Sequence, residues 1–421
     1  MKNNYLNLLA ILFPILVIAQ NQQTVSLPPP GKSSMNFSRV VGWKDGETPK
    51  APDGFIVTKY ADNFESPRWL YVLPNGDVLV ADTNAKYPIA VQAGAVISGA
   101  SKANNIKRSP NKIILLRDTN KDGTPDLRET FLDGLNQHLG MLVIGNWFYV
   151  ANTDAVLRYP YTSGQTKITG DPEKIVDLPT TAINLHWGKN LLANADNSKI
   201  YISVGSATNI GEAGMDKEVL RASILEINPD GSGLRVYASG LRNPMGMDWA
   251  PGTKTLWTTV VERDFLGDEL VPDYITSVKE NGFYGWPYSY FGQNLDPRFE
   301  ETKPDLIDKV IVPDINMGAH TTCMGLTFYN GTAFPQQYRN GVFVTQHGSY
   351  NREKLAGFKV VFVPFANGKP SGEPQDFLTN FMVDPNKDEV RGRPLGIAEL
   401  QDGSLLVTDD KMKIIWRVAA K

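Results

Sequence analysis

The segment Asn75–Thr83, NGDVLVADT, is the first of six similar stretches in which a short turn leads into an apolar β-type run. The other five are GNWFYVANT (145–153), DNSKIYISVGS (196–206), GTKTLWTTVVE (252–262), RNGVFVTQHG (339–348) and DGSLLVTDD (402–410). They recur at spacings of roughly 50 to 90 residues without a helical pattern between them, which is typical of β-propeller blades. The sequence therefore predicts an all-β fold, a six-bladed β-propeller.

A second, glycine-bearing strand precedes five of these runs, with the glycine at positions 140, 188, 246, 325 and 396; only the first, at Pro67–Leu70, lacks it. The innermost strand of a propeller blade runs beside the central axis, so the residues just before each glycine are expected to gather at one end of the tunnel. These positions form a predicted collar of Arg68, Gln137, His138, His186, Arg242, Asn243, His320, Thr321, Arg391 and Arg393. The collar favours a ligand site; the alternative is a ring of solvated strand starts whose arginines pair with carboxylates.

Composition restricts the classes of partner. The 421 residues are 42% hydrophobic and 21% charged, as in ordinary globular proteins. A net charge of −3 argues against a nucleic-acid or anionic-membrane partner. The repeat makes residues 46–421 one propeller domain despite their number.

The N-terminus has the order of a secretory signal peptide. Lys2 precedes an apolar stretch from about Leu6 to Ala19, which is too short for a comfortable membrane span. We predict a signal peptide at 1–20 and an extended linker at 21–45, with an uncleaved anchor as the alternative. The chain has a single cysteine, Cys323, so an internal disulfide is excluded. We interpret Cys323 as a small, buried hydrophobic residue. Export without disulfides favours a periplasmic or secreted protein.

The segment DTNKDGTPDLRE, residues 118–129, matches the spacing of a twelve-residue calcium loop. Calcium binds six to eight oxygens, and alternating acidic side chains on a tight turn supply them. The predicted ligands of this structural calcium are Asp118, Asn120, Asp122, Thr124, Asp126 and Glu129. A plain solvated acidic turn is the alternative.

Three other segments carry possible chemistry. His186, in LHWGKNLL, can accept a hydroxyl proton because its ordinary pKa lies near neutral pH. Arg242 and Asn243, in GLRNPMGMDW, offer donors to an oxygen-rich ligand. The aromatic loop NGFYGWPYSYFG (281–292) suits either stacking on a ring ligand or packing of a blade rim. Nucleophile-elbow, phosphate-loop and dinucleotide motifs are absent from the sequence.

Many long blocks in order resemble the L-sorbosone dehydrogenase family, relatives of the soluble quinoprotein glucose dehydrogenases. They are ANTDAVLRYPY, HWGKNLL, ISVGS, SGLRNPMGMDW, ERDFLGDELVPDY, GFYGWPYSYFG, QHGSYNREKLAGFKVVFVPFANGKPSG and RGRPLGIAELQDGSLLVTDD, and the likeness covers about residues 50 to 420. The resemblance implies a six-bladed propeller with pyrroloquinoline quinone (PQQ) at the tunnel mouth and calcium beside it.

The resemblance also implies site roles. His186 looks like the catalytic base, and Arg242 with Asn243 like the pair that grips quinone and substrate. Weaker cofactor-contact candidates are Arg68, His347, Lys359, Arg391 and Arg393. The backbone from Glu262 to Asp264 would lie near the cofactor calcium, although this chain has Glu-Arg-Asp where the glucose dehydrogenases have a Gly-Pro turn.

The expected enzyme is a quinoprotein dehydrogenase that oxidises an aldose or sugar aldehyde by hydride transfer to PQQ. Its electrons would pass to an acceptor such as a cytochrome or quinone. Two alternatives stay open: a propeller that binds a carbohydrate or protein partner without redox chemistry, and a metal-dependent lactonase. A lactonase should present Glu, Asn and Asp around its metal, whereas this collar is rich in Arg and His.

Overall fold

The computed structural model describes residues 26–86, 95–97, 99–103, 108–182, 184–298, 304–384 and 386–421. Six antiparallel sheets of four main strands are arranged as the blades of a propeller, which confirms the predicted fold. The predicted signal peptide lies outside the described residues. Within the described ranges, no helix has the length and apolar character needed to span a membrane.

The first three blades follow one another along the chain, each with its innermost strand first. Blade 1 comprises Pro67–Val72, Val78–Asp82, Lys112–Arg117 and Leu127–Leu132. Blade 2 comprises Met141–Ile144, Trp147–Ala151, Ala155–Pro160 and Glu173–Asp177. Blade 3 comprises Leu191–Ala193, Ile200–Val204, Ser223–Ile227 and Arg235–Ser239, with Gly282–Phe283 added in parallel at its outer edge.

The last three blades contain the longer excursions. Blade 4 comprises Pro244–Trp249, Leu256–Val260, Pro272–Ser277 and Ile315–Ala319. Blade 5 comprises Cys323–Phe328, Gly341–Gln346, Lys359–Ala366 and Gln375–Leu378, and Lys369–Pro370 pairs with the end of its third strand. Blade 6 comprises Pro394–Glu399, Leu405–Asp409, Ile414–Ala420 and the N-terminal strand Phe55–Ala61. This outer strand from the opposite end of the chain closes the ring.

Smaller elements complete the described structure. Arg39–Val40 pairs in parallel with Glu389–Val390, and Ser289–Tyr290 pairs with Asn294–Leu295. The short helices are Ala100–Ala103, Pro304–Ile307, and the 3₁₀ turns Met215–Glu218 and Gln336–Tyr338. Gly31 and Asn36, within the predicted linker, hydrogen-bond to Leu266 and Tyr350, so this segment lies against loops of blades 4 and 5.

The repeated glycines have a steric reason. A Cβ at Gly396 would lie 2.3 Å from the carbonyl oxygen of Arg68, in the innermost strand of the next blade. A Cβ at Gly140 would lie 2.4 Å from the backbone nitrogen of Leu191, which belongs to blade 3. At these two positions the inner strands approach so closely around the axis that only glycine fits. Farther out, buried apolar residues of adjacent blades pack face to face, as Leu79 and Phe148 do in the core between blades 1 and 2.

Candidate functional site

One cavity lies on the axis and receives residues from the inner strands of all six blades. Its lining is Arg68, Leu139, Leu185, His186, Trp187, Gly188, Asn243, Met245, Met324 and Leu395. Three collar residues, Arg68, His186 and Asn243, thus share one pocket although they are far apart in sequence. A Cβ on Gly205 would collide with both Asn243 and His186, at 2.2 and 2.5 Å, so this glycine also makes room at the site.

The hydrogen bonds of His186 define its tautomer. Its Nδ1 lies 2.8 Å from the carbonyl oxygen of Ser206 and 3.1 Å from the Ser206 hydroxyl. A carbonyl oxygen only accepts, so Nδ1 carries the proton and Nε2 keeps its lone pair. Among the described residues, Nε2 has no hydrogen-bond partner.

The charge state of His186 follows from its surroundings. Burial lowers the pKa of His186 well below its ordinary value, and the positive charge of Arg242 lowers it further. The hydrogen bond to Ser206 opposes this shift without cancelling it. The imidazole is therefore neutral near pH 7, with a basic nitrogen available in the cavity.

Arg242 lies beside the cavity and does not line it. Its Nη1 donates to the carbonyl oxygens of Glu262, at 2.7 Å, and Val261, at 3.1 Å. Its Nε and Nη2 donate to the backbone and side-chain oxygens of Asn209, at 3.1 and 2.9 Å. The Arg242 side chain is only 4% exposed and its guanidinium makes four hydrogen bonds, so the fold holds it in place before any ligand arrives.

Asp264 joins Arg242 to a second collar histidine. Its carboxylate accepts the hydroxyl of Tyr350 at 2.6 Å and lies 3.3 Å from His320 Nδ1 and 3.8 Å from Arg242 Nη2. Burial alone would raise the pKa of Asp264, but these partners, His320 foremost, hold it below its ordinary value. Burial would likewise lower the pKa of His320, yet Asp264 and the carbonyl of Gly267 raise it. The result is a buried anion with cationic partners.

The turn at 261–264, which the resemblance assigns to a cofactor calcium, has its carbonyl oxygens facing guanidinium groups. Arg242 donates to two of them, as described, and Arg263 donates twice to the carbonyl of Asp264, at 3.0 and 2.6 Å. Arg263 is itself paired with Asp296 at 2.5 Å, and burial raises the pKa of Glu262 to about 7. A cation here would have to displace Arg242, so the turn as folded does not fit calcium.

A second charged cluster joins blades 1, 5 and 6. Asp410 pairs with His347 Nε2 at 3.0 Å and with Arg68 Nη2 at 3.5 Å. Arg393 donates to the carbonyl of His347 at 3.1 Å. Burial lowers the pKa of His347 to about 4, with Arg393 adding to the effect and Asp410 opposing it. Arg68 also lies over the ring of Trp187, 5.4 Å from its centroid.

Two buried polar atoms at the cavity have no hydrogen-bond partner among the described residues: Nε of Arg68 and Oδ1 of Asn243. Buried polar groups are nearly always satisfied, so each such atom calls for an explanation. Both belong to residues that line the cavity, which is consistent with a polar ligand completing their hydrogen bonds.

Two cofactor-contact candidates do not reach this cavity. Lys359 begins the third strand of blade 5 and pairs with Asp376 at 2.5 Å. Arg391 pairs with Glu47 at 2.7 Å and donates to the carbonyl of Asn380. Lys359 and Arg391 thus pair with carboxylates at the edges of strands, as the alternative interpretation of the collar expects.

The predicted calcium loop is an ordered turn. Asp118 accepts backbone N–H groups of Asp122 and Gly123 at 3.2 and 2.7 Å, and Asp126 accepts the N–H and hydroxyl of Thr119 at 3.0 and 2.5 Å. Across the described ranges, no group of three or more His, Cys, Asp or Glu side chains stands close enough to hold a metal ion. The structural calcium stays a prediction from spacing: Asn120 and Thr124 lie in this turn, whereas Glu129 lies in the strand Leu127–Leu132.

The aromatic loop packs within the protein. Trp286 and Tyr284 are buried, and the Tyr284 hydroxyl donates to the carbonyl of Ser277 at 2.6 Å. Trp286 Nε1 donates to the carbonyl of Asn209 at 3.1 Å, which supports the residue that orients Arg242. The packing alternative is therefore the observed one.

Sequence reasoning missed Ser206, Asn209 and Asp410. Ser206 and Asp410 stand at the ends of ISVGS and LLVTDD, just after the second strands of their blades. The second strand is antiparallel to the innermost one, so its end meets the start of the inner strand. The polar residues that end the six repeated segments could have indicated these positions, because each segment ends beside the start of an inner strand.

Comparisons with known proteins identify relatives of this chain. The family model described as Glucose / Sorbosone dehydrogenase matches residues 147–360, just over half of the chain. An uncharacterized protein of Borreliella burgdorferi is 32% identical over 244 residues, 57% of this chain and 62% of that protein. The aldose sugar dehydrogenase of Escherichia coli is 24% identical over 194 residues, 41% of this chain and 50% of that protein. The chain thus matches less than two thirds of either relative.

Among solved structures, the holo pyranose dehydrogenase PQQ domain of Coprinopsis cinerea superposes with a TM-score of 0.69 and 17% identity. The match covers 91% of this chain and all of that one, and it shows a shared fold.

Proposed function

Because the chain belongs to the glucose/sorbosone dehydrogenase family, we propose that it is a PQQ-dependent oxidoreductase that oxidises an aldose or sugar aldehyde. The observation that carries the proposal is the axial cavity, where a neutral histidine with a free Nε2 lies beside an arginine and an asparagine with unsatisfied polar atoms. The alternatives of a binding module and a lactonase have no comparable support.

The charges at the cavity suit an anionic quinone; the cavity as folded has a volume of about 90 Å³, so side chains at its mouth would have to move to admit one. PQQ is planar and carries carboxylates, and Arg68 supplies positive charge with an Nε donor that lacks a partner. Arg393, behind His347, adds positive charge to the same side. When bound, PQQ supplies the two-electron oxidising capacity that side chains do not have. Arg68, Asn243 and the His347–Arg393 pair are the residues proposed to hold it.

His186 is the proposed general base. Its Nε2 accepts the hydroxyl proton of a sugar lactol or aldehyde hydrate while its Nδ1–H remains bonded to the carbonyl of Ser206. That bond stabilises the imidazolium that forms and prevents the ring from turning. The nearby charge of Arg242 favours negative charge developing on the substrate oxygen. The amide of Asn243 offers a donor to the same substrate.

No step is assigned to calcium here, because the carbonyl oxygens of the turn at 261–264 already accept hydrogen bonds from Arg242 and Arg263. The calcium requirement that the resemblance implies is tested by adding PQQ with calcium or with a chelator. Localisation in the periplasm and transfer of electrons to a cytochrome or quinone remain parts of the same proposal.

The purified protein should be titrated with PQQ, followed by absorbance, and assayed with aldoses and sorbosone in the presence of an artificial electron acceptor. His186→Gln should lower turnover by about 10²–10⁴-fold and leave PQQ uptake intact, since a general base contributes that factor. Arg68→Gln should weaken PQQ uptake, whereas Lys359→Gln, a matched removal of a distant cation, should not.

Wild-type turnover in His186→Gln would contradict the assigned role. If the wild-type protein neither takes up PQQ nor reduces the dye, a binding module is favoured. Hydrolysis of a lactone would favour the lactonase.

A further inference from the structure

Three buried charged residues lie behind His186 and do not line the cavity: Lys189, Glu218 and Arg221. Lys189 is fully buried, and its Nζ donates to the carbonyl oxygen of His186 at 2.9 Å. Among the described residues this is the one hydrogen bond that the ammonium makes. Burial lowers the pKa of Lys189 well below its ordinary value, which reflects the cost of holding a cation there.

Arg221 binds the carbonyl oxygen of Ser206, which is the hydrogen-bond partner of the His186 ring. Its Nη2 donates at 3.2 Å to the carbonyl oxygen of Ser206, the same oxygen that accepts Nδ1–H of His186. Its Nε donates at 3.1 Å to the carbonyl of the preceding residue, Gly205. Further bonds to Pro179 and Asn184, at 2.8 and 2.6 Å, fix the guanidinium itself. The carbonyl that sets the tautomer of His186 is therefore held by a rigid cation.

Glu218 supplies a single negative charge to this group. Its carboxylate accepts the backbone N–H groups of Ala207 and Thr208, at 2.8 and 3.3 Å, and lies 3.9 Å from Arg221. It thus orders the residues that follow Ser206 and offsets the charge of Arg221. A methionine in place of Lys189 would avoid the cost of burying an amine, but it would leave the carbonyl oxygen of His186 without this donor.

We propose that Lys189 and Arg221 are positioning residues for His186: each holds a backbone carbonyl next to the ring, and together they keep Nδ1 protonated and Nε2 free in the cavity. The role of Nε2 as a base rests on the function proposed above, but the positioning itself does not. The charged groups that face the ring are Arg242, Arg221 and Lys189, while Glu218 faces Arg221.

The tautomer can be measured without turnover. The chain has four histidines, so ¹⁵N-labelled histidine gives few ring signals, and loss of one in His186→Gln assigns it. The wild-type protein should show Nδ1–H and an unprotonated Nε2 at neutral pH. Lys189→Met, which removes the donor, should move the ring shifts toward a tautomer mixture, whereas Lys189→Gln, which retains an N–H donor, should restore the wild-type shifts.

Two results would overturn the proposal: an Nε2–H tautomer in the wild-type protein, or a folded Lys189→Met variant with unchanged ring shifts. If Lys189→Met does not fold, Arg221→Lys provides the same comparison, because lysine keeps the charge and loses the forked donors that hold Ser206 and Gly205. Altered ring shifts in that variant support the proposal, and unchanged shifts refute it.

Turnover separates this proposal from the enzymatic one. Lys189→Met should lower kcat by about 10–100-fold with little change in KM, because a misplaced base slows the chemical step more than binding. The expected ring shifts in a protein that oxidises no sugar would leave the positioning intact and reject the proposed reaction. Normal kcat in a variant with altered ring shifts would instead show that the positioning does not serve this reaction.

Discussion

Replacing Gly396 by alanine should force the propeller apart at the junction of blades 6 and 1. The added Cβ would lie 2.3 Å from the carbonyl oxygen of Arg68 and 3.2 Å from the hydroxyl of Thr408. A carbon and an oxygen in ordinary contact are more than 3 Å apart, so the two inner strands must separate by about 1 Å. Because Arg68 lines the cavity, the same displacement would disturb ligand binding.

The expected cost follows from two opposing effects. Overpacking costs about 1–3 kcal/mol, and the upper end applies here because a backbone oxygen cannot rotate away as a flexible side chain can. Alanine restricts the unfolded chain and returns about 0.4–1 kcal/mol. We expect a net loss of about 2 kcal/mol in the free energy of unfolding.

Comparing several of these glycines tests the reasoning more stringently than one variant. The nearest backbone atom would be 2.4 Å from a Cβ at Gly140, 2.6 Å at Gly246 and 2.7 Å at Gly325, whereas at Gly188 the nearest atom is a methyl of Leu139 at 3.1 Å. The losses, measured by thermal and urea unfolding, should therefore decrease in that order, with Gly188→Ala nearly neutral. Gly31→Ala, where a Cβ meets nothing within 4 Å, is the matched control. Equal losses at Gly396 and Gly31 would refute the steric argument.

Three further predictions concern the site and the core. Gly205→Ala should abolish most turnover, because its Cβ would meet Asn243 and His186 at 2.2 and 2.5 Å; full activity in a steady-state assay would contradict the described geometry. Asp296→Ala should destabilise the fold by about 3–5 kcal/mol in denaturant, since it leaves Arg263 buried without its partner, and Arg263→Met combined with Asp296→Leu should recover most of that loss. Burial lowers the pKa of His138 to about 3, so the unfolded chain binds more protons between pH 6.5 and 3 and stability falls as the pH falls through that window. His138→Gln should make this acid-side loss shallower in unfolding measured from pH 7 to 4, and an unchanged slope would reject the assignment.

The sequence does not distinguish the roles of the two arginines in VRGRPLG, Arg391 and Arg393. They are two residues apart and looked equivalent, yet Arg391 pairs outward with Glu47, while Arg393 donates inward to the carbonyl of His347. Glu47 precedes the first blade and approaches Arg391 only when the ring has closed. A long-range contact of this kind leaves no trace in local pattern.

The turn at 261–264 gives the same lesson for chemistry. The resemblance places its backbone near a cofactor calcium, but the guanidiniums of Arg242 and Arg263 face the carbonyl oxygens. The direction in which a long side chain turns depends on partners such as Asn209 and Asp296, which come from other loops.

The sequence by itself determined the six blades, the glycines in their inner strands and the set of segments that meet at the axis. It could do so because alternating apolar runs, turns and glycines act locally and recur with the blade. The tertiary structure alone decided which polar residues face the cavity, which tautomer His186 adopts and which cations lie behind it. Those features depend on hydrogen bonds between residues that are distant along the chain and adjacent only in the closed ring.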